Sequence, residues 1–274
     1  MTDPHVECLR YRLTVDETYG RFENPPPLEH GTDAYQMRLE SGVLTVEMKE
    51  HHATVESAKE RVDNDLRAWE LDAALSRDHT WLRFDYDPSG ARVIDRDPSP
   101  LQPGSDAVGV GAIKLGMLVA AGIGHCEPPV FKEYPKPPEM FEASLNVEGL
   151  FRRYERAVWF DGTQMLSFGY VCLSYLEGTT GLKGYQGARD EVVKRYRIER
   201  GVLNKLGDLV SERGGLEEAR KLDAGATLIP LTPEENAWVR AAIKMLIRRK
   251  AEYDHDPNAA ESLPVITMSD LPAV

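Results

Sequence analysis

The chain reads as an α+β protein, an antiparallel β-sheet domain with one long helix followed by an all-α helical bundle domain. Three observations predict this. Apolar residues alternate singly in the first half and recur every three or four residues in the second. Five prolines fall between Pro128 and Pro138, where the periodicity changes. The charge changes there as well. Residues 1–140 hold 15 Lys and Arg against 25 Asp and Glu, a balance of −10, whereas residues 141–274 hold 18 and 20, a balance of −2. The expected division is a sheet domain over 1–127, a Pro-rich linker over 128–140, a helical bundle over 141–256 and a flexible tail over 257–274.

Each element has its own signal. Leu9, Tyr11, Leu13 and Val15 share one face of a first strand. The stretch from Glu23 to His30, with Pro25-Pro26-Pro27, reads as a loop. Tyr35, Met37 and Leu39 lead through Ser41-Gly42 into Leu44, Val46 and Met48, the pattern of a hairpin. Val55, Ala58, Val62, Leu66, Trp69 and Ala73 make the apolar stripe of the long helix, whose other face carries Glu56, Lys59, Glu60, Asp63, Arg67 and Glu70. Leu82, Phe84 and Tyr86 precede Asp87-Pro88-Ser89-Gly90 and Val93, a second hairpin. A further strand is expected from Ala107 to Val119.

The second half gives helical stripes. They run through Val147, Leu150, Phe151, Tyr154 and Val158; through Met165, Phe168, Val171, Cys172, Tyr175 and Leu176; through Val192, Val193 and Tyr196; and through Val202, Leu203, Leu206, Leu209 and Val210. Gly214-Gly215 ends the fourth. Thr232, Pro233 and Glu235 are the N-cap, N1 and N3 residues of a capping box. That helix runs through Trp238, Ala241, Met245 and Leu246 to Arg248-Arg249-Lys250, cations that suit its C-terminal dipole.

The 274 residues, 42% of them apolar, suffice for a large core. The net charge of −12 disfavours non-specific binding to nucleic acid. The first residues lack the basic and apolar regions of a signal peptide, and no stretch matches a bilayer span, so a cytoplasmic protein without membrane contact is expected. Cys8, Cys126 and Cys172 form no Cys-x-x-Cys pair, which argues against a zinc ribbon or disulfide framework.

Few residues combine into a chemical motif. Residues 109–116 resemble a phosphate loop in their glycines, but no Gly-Lys-Ser/Thr closes the run. Asp85, Asp87, Asp95 and Asp97 match no calcium-loop spacing. His51-His52 reads as a solvated turn, and His125-Cys126 has no partner motif. No Gly-x-Ser-x-Gly elbow or His-Glu-x-x-His pair occurs. No metal site, cofactor or nucleophile is therefore assigned.

Two segments carry sharper alternatives. Between Gly187 and Gly214 the spacing of Val193, Ile198, Val202 and Leu203 is that of a helix-turn-helix, with Arg197 at the usual turn glycine. Seven basic residues in 183–205 face three acidic ones, so Arg197, Arg200, Asn204 and Lys205 are candidate nucleic-acid contacts. The run from Thr163 to Gly178, TQMLSFGYVCLSYLEG, resembles a helix of HEPN-type helical domains, in particular the ApeA-like branch found in prokaryotic defence proteins. The run from Leu203 to Gly214 corresponds to the helix that carries the family's Arg-Asn-x-x-x-His motif. Here Arg213 stands in place of the histidine and the Arg-Asn pair is missing. The resemblance implies a prokaryotic setting linked to defence or mobile elements, with ribonuclease activity lost at that motif. Arg249 and His255 are spaced much like the Arg and His of such ribonucleases. The resemblance would give His255 proton transfer and Arg249 the stabilisation of phosphorane charge.

The reading that these features support together is a non-catalytic recognition or scaffold protein. The expected partner is another protein, with the acidic sheet domain as its contact; self-association is compatible with the sequence. DNA binding through 187–214 and HEPN-type ribonuclease chemistry through Arg249 and His255 are the alternatives.

Overall fold

The computed structural model describes residues 3–97, 128–159, 164–182, 185–214 and 229–273. The strand expected over 107–119, the glycine-containing run 109–116 and the His125-Cys126 pair lie outside the described residues. The described parts are an antiparallel sheet toward the N-terminus and helices toward the C-terminus, the predicted α+β architecture.

The main sheet has β1 (Pro4–Val15), β3 (Leu28–Gly31), β4 (Tyr35–Glu40), β5 (Val43–Met48), β6 (Leu82–Tyr86) and β7 (Arg92–Asp95). Its order is β3-β4-β5-β1-β6, and β7 pairs with the first part of β1. Strand β1 is long enough to pair with β5 on one side and with β6 and β7 in turn on the other. A bulge between Val6 and Cys8 shifts its register, so that both Val6 and Leu9 are buried although they stand three positions apart. The β4–β5 hairpin turns at Ser41-Gly42, both in the left-handed region. The expected loop over 23–30 ends in a strand. Leu28–Gly31 pairs with Leu39–Gln36 because the prolines stop at Pro27 and leave the following amides free to bond.

Helix α1 (Val55–Arg77) buries Ala58, Val62 and Leu66. The chain divides into two compact units, Met1–Leu66 with Trp81–Pro137, and Arg67–Thr80 with Pro138–Val274. The second half of α1 therefore belongs with the helical unit, because Ala68, Leu71, Ala74 and Leu75 are part of that unit's apolar core. The Pro-rich segment also differs from a bare linker. Within it β8 (Val130–Phe131) pairs in parallel with β2 (Arg21–Phe22). Phe22, Trp81, Phe131 and Tyr134 cluster with ring centroids 4.8–5.7 Å apart.

The helical unit adds α2 (Leu145–Trp159), α3 (Met165–Gly178), α4 (Tyr185–Tyr196), α5 (Arg200–Glu212), α6 (Pro233–His255) and α7 (Pro257–Ala260). Its core includes Phe151, Tyr154, Leu166, Leu206, Trp238, Ile243 and Leu246. The capping box forms as read. Thr232 Oγ1 accepts from the Glu235 amide at 3.1 Å, and Glu235 Oε2 accepts from the Thr232 amide at 2.9 Å. Thr232→Ala is expected to lower the unit's stability by about 1 kcal/mol, read from the midpoint of urea unfolding.

The segment 257–274, expected as a flexible tail, is a correction. Ala260, Ile266 and Leu271 are buried, Ile266 forms a β-bridge with Ile198, and Arg249 donates to the Pro264 carbonyl at 3.0 Å. Apolar residues at this spacing, too few to suggest an element of their own, suffice to hold a segment against an existing core. Among the described residues no helix is long and apolar enough to cross a membrane.

Candidate functional site

The residues nominated as nucleic-acid contacts are each engaged within the helical unit. Arg197 sits in the left-handed region with φ 51° and closes the turn between α4 and α5, where a glycine would suffer no steric cost. Its Nε donates to the Leu263 carbonyl at 3.3 Å. Arg200 pairs with Asp190. Asn204 Oδ1 accepts from Arg189 Nη1 at 3.1 Å. Lys205 Nζ lies 5.1 Å from the centre of the Trp238 ring. The helix-turn-helix spacing does form two helices and a tight turn. However, α5 buries Val202, Leu203, Leu206, Leu209 and Val210, and its exposed residues Asn204, Asp208, Ser211 and Glu212 carry two negative charges and no positive one.

The ribonuclease pair is not brought together. Arg249 is buried, donating to Pro264 and lying 3.2 Å from Glu252, while His255 is exposed at the end of α6. Six residues along a helix turn a side chain well round from its starting face, so Arg249 points into the unit and His255 to solvent. Arg213, at the motif position of the histidine, donates to Glu235 at 2.8 Å.

The aspartates of the second hairpin also have local roles. Asp87 accepts from the Ser89 amide and hydroxyl and pairs with Arg12; Asp85 accepts from Thr14. Asp95 accepts from the amides of Asp3 and Asp97. His51 pairs with Asp3 at 3.1 Å and stacks on buried His5 at 5.5 Å. Among the described residues no three His, Cys, Asp or Glu side chains converge as metal ligands.

One groove on the sheet unit, of about 480 Å³, lies beside the first half of α1. It is lined by Val55, Glu56, Lys59, Glu60, Asp63, Tyr86 and Pro88. Helical spacing places Glu56, Lys59, Glu60 and Asp63 along one stripe, three or four residues apart. Tyr86, at the end of β6, supplies the ring. Three carboxylates face one ammonium, so the groove is negative. The Tyr86 hydroxyl responds to this field: burial first, then the charges of Glu56, Asp63 and Asp87, push its pKa above the usual phenol value. Lys59 already displays the chemistry the groove suits. Its ammonium lies 4.4 Å from the Tyr86 ring centre and 3.9 Å from Asp63 Oδ2. Asp63 is held in place by the Tyr11 hydroxyl, which donates to it at 2.7 Å. The carboxylates of this stripe are legible in the sequence as the polar face of α1; their alignment with Tyr86 is not, because it depends on where β6 enters the sheet.

Comparison with protein-family models, with curated proteins and with solved structures returns no match for this chain.

Proposed function

We propose that this is a non-catalytic recognition protein whose sheet unit binds a basic protein partner through the α1–Tyr86 groove. The observation that carries the reading is the pairing of an aromatic ring with Glu56, Glu60 and Asp63, a combination that receives lysine or arginine side chains. The balance of −10 over residues 1–140 supports it by drawing a cationic partner toward this half of the chain. The contacts that Arg197, Asn204, Lys205 and Arg249 make within the helical unit, and the surface pair of Arg200 with Asp190, favour this reading over the alternatives that rest on those residues.

A lysine-rich peptide titrated into the protein by calorimetry tests this reading. Binding is expected to weaken as salt is raised, since exposed charge pairs are screened. The Glu56→Gln/Glu60→Gln variant is expected to bind about fivefold to tenfold more weakly, with its thermal midpoint nearly unchanged because both side chains are exposed. Peptide binding that ignores both salt and the substitutions would remove the groove from the reading.

A further inference from the structure

A second groove, on the helical unit, has the opposite character. It lies between α2 and α3, has a volume of about 430 Å³, and is lined by Arg153, Arg156, Ala157, Gln164, Ser167, Phe168 and Val171. The lining follows helical periodicity on both sides. Positions 153, 156 and 157 are one stripe of α2, and positions 164, 167, 168 and 171 are one stripe of α3 with its N-cap.

We propose that this groove binds an oxyanion, a phosphate monoester or a carboxylate, carried on a small apolar body. The inference is independent of the acidic groove on the sheet unit. Its first support is the state of the two arginines. Arg152, one residue before them, is neutralised by Glu148 at 2.7 Å, and Glu155 accepts from the Thr80 amide at 2.8 Å. Arg153 and Arg156, by contrast, have no ion-pair or hydrogen-bond partner among the described residues, and both are exposed on the groove. Two guanidiniums on a groove whose described lining holds no carboxylate are a standing demand for an anion. Their planar forks match the paired oxygens of phosphate and carboxylate.

The opposite wall answers in kind. Helix α3 begins at Met165 after Gln164, whose side chain makes no cap bond, and the first amides of α3 carry the positive end of the helix dipole. Ser167 adds a hydroxyl donor and Gln164 an amide at the same wall. Between the two polar walls the floor is apolar, formed by Ala157, Phe168 and Val171. A bare inorganic ion would leave that floor unused. A ligand with an anionic head and a small aromatic or aliphatic body would cover it, and the volume suits a group of that size.

The test uses three probes on the full chain: phenyl phosphate, benzoate and inorganic phosphate, each titrated by calorimetry at low salt. Phenyl phosphate or benzoate is expected to bind more tightly than inorganic phosphate. Whichever of the two binds more tightly identifies the head group, and either result supports the site. The Arg153→Gln and Arg156→Gln variants are each expected to weaken binding about tenfold, and the double variant more. Both side chains are exposed, so thermal unfolding of these variants should match the wild type. Arg152→Gln is the control and is expected to leave binding unchanged. The proposal is overturned if no probe binds, if the double variant binds as well as the wild type, or if Arg152→Gln is as damaging as the groove variants. The last result would show a response to net charge alone. Retained binding of a lysine-rich peptide by the double variant would leave the reading of the sheet unit standing whatever happens here.

Discussion

Arg189→Met is expected to destabilise the helical unit by about 3–5 kcal/mol, the usual cost of breaking a buried ion pair by removing one member. Arg189 is only 2% exposed. It pairs with Glu177 at 2.9 Å and donates to Asn204 Oδ1 at 3.1 Å, so it ties α4 to α3 and α5 together. Gly207 makes room for it. A methyl group at that position would meet both terminal nitrogens of Arg189 at 3.3–3.4 Å. Methionine replaces most of the volume but leaves the Glu177 carboxylate, itself largely buried, without its cation. The double variant Arg189→Met/Glu177→Leu removes that lone charge and is expected to recover at least half of the loss. Guanidinium unfolding monitored by circular dichroism reads both. Equal losses in the single and double variants would mean that packing, not charge, sets the role of Arg189.

Asp78→Ala is the second large effect, expected at about 3 kcal/mol. Asp78 follows α1 in the left-handed region with φ 67°, a conformation that Asp tolerates better than Ala. Its carboxylate accepts from the Tyr154 hydroxyl at 2.6 Å, from Arg240 at 2.9 Å and from Lys244 at 2.8 Å. One side chain thus joins the end of α1 to α2 and α6. Arg240 keeps 35% of its side-chain exposure, which holds the loss below that of a fully buried pair. Asp78→Asn keeps the shape and the backbone tolerance and removes the charge, so about half the loss is expected.

The pH dependence follows from the same contacts. Burial alone would raise the pKa of Asp78, but hydrogen bonds from Lys244 and Tyr154 and the charges of Lys244 and Arg240 outweigh it and hold the carboxyl below its ordinary value of 3.8. The folded state therefore binds this proton less readily than the unfolded chain does. Its contribution is complete above the ordinary value and is lost as pH falls through the depressed one. The stability gap between wild type and Asp78→Asn should close on acidification over that window. A gap that stays constant down to the acid transition would show that the charge of Asp78 contributes nothing.

Much of the secondary structure was legible. The stripe of α1, the Ser41-Gly42 hairpin and the Thr232 capping box involve residues close together in the chain, where spacing alone decides which face an apolar group shares. The missed elements are those whose partner is distant. Leu28–Gly31 becomes a strand because β4 lies beside it, and Val130–Phe131 because β2 does. The expected tail is held by Ile198 and Arg249, residues with no local mark of that role.

The candidate sites divide in the same way. The basic run 183–205 was visible as charge, but composition does not say which cations face solvent. Arg189 and Arg200 belong to ion pairs, whereas Arg153 and Arg156, in no conspicuous run, face an open groove. The sequence by itself determined the α+β order, the helical stripes and the unequal division of the −12 charge, because these rest on composition and on periods of two and 3.6 residues. Only the tertiary structure decided that the second half of α1 joins the helical core, that Arg249 is buried while His255 is exposed, and that Tyr86 meets the carboxylates of α1. Each of these depends on which charges and rings become neighbours across tens of residues, and that choice is made by packing between elements, not by spacing within one.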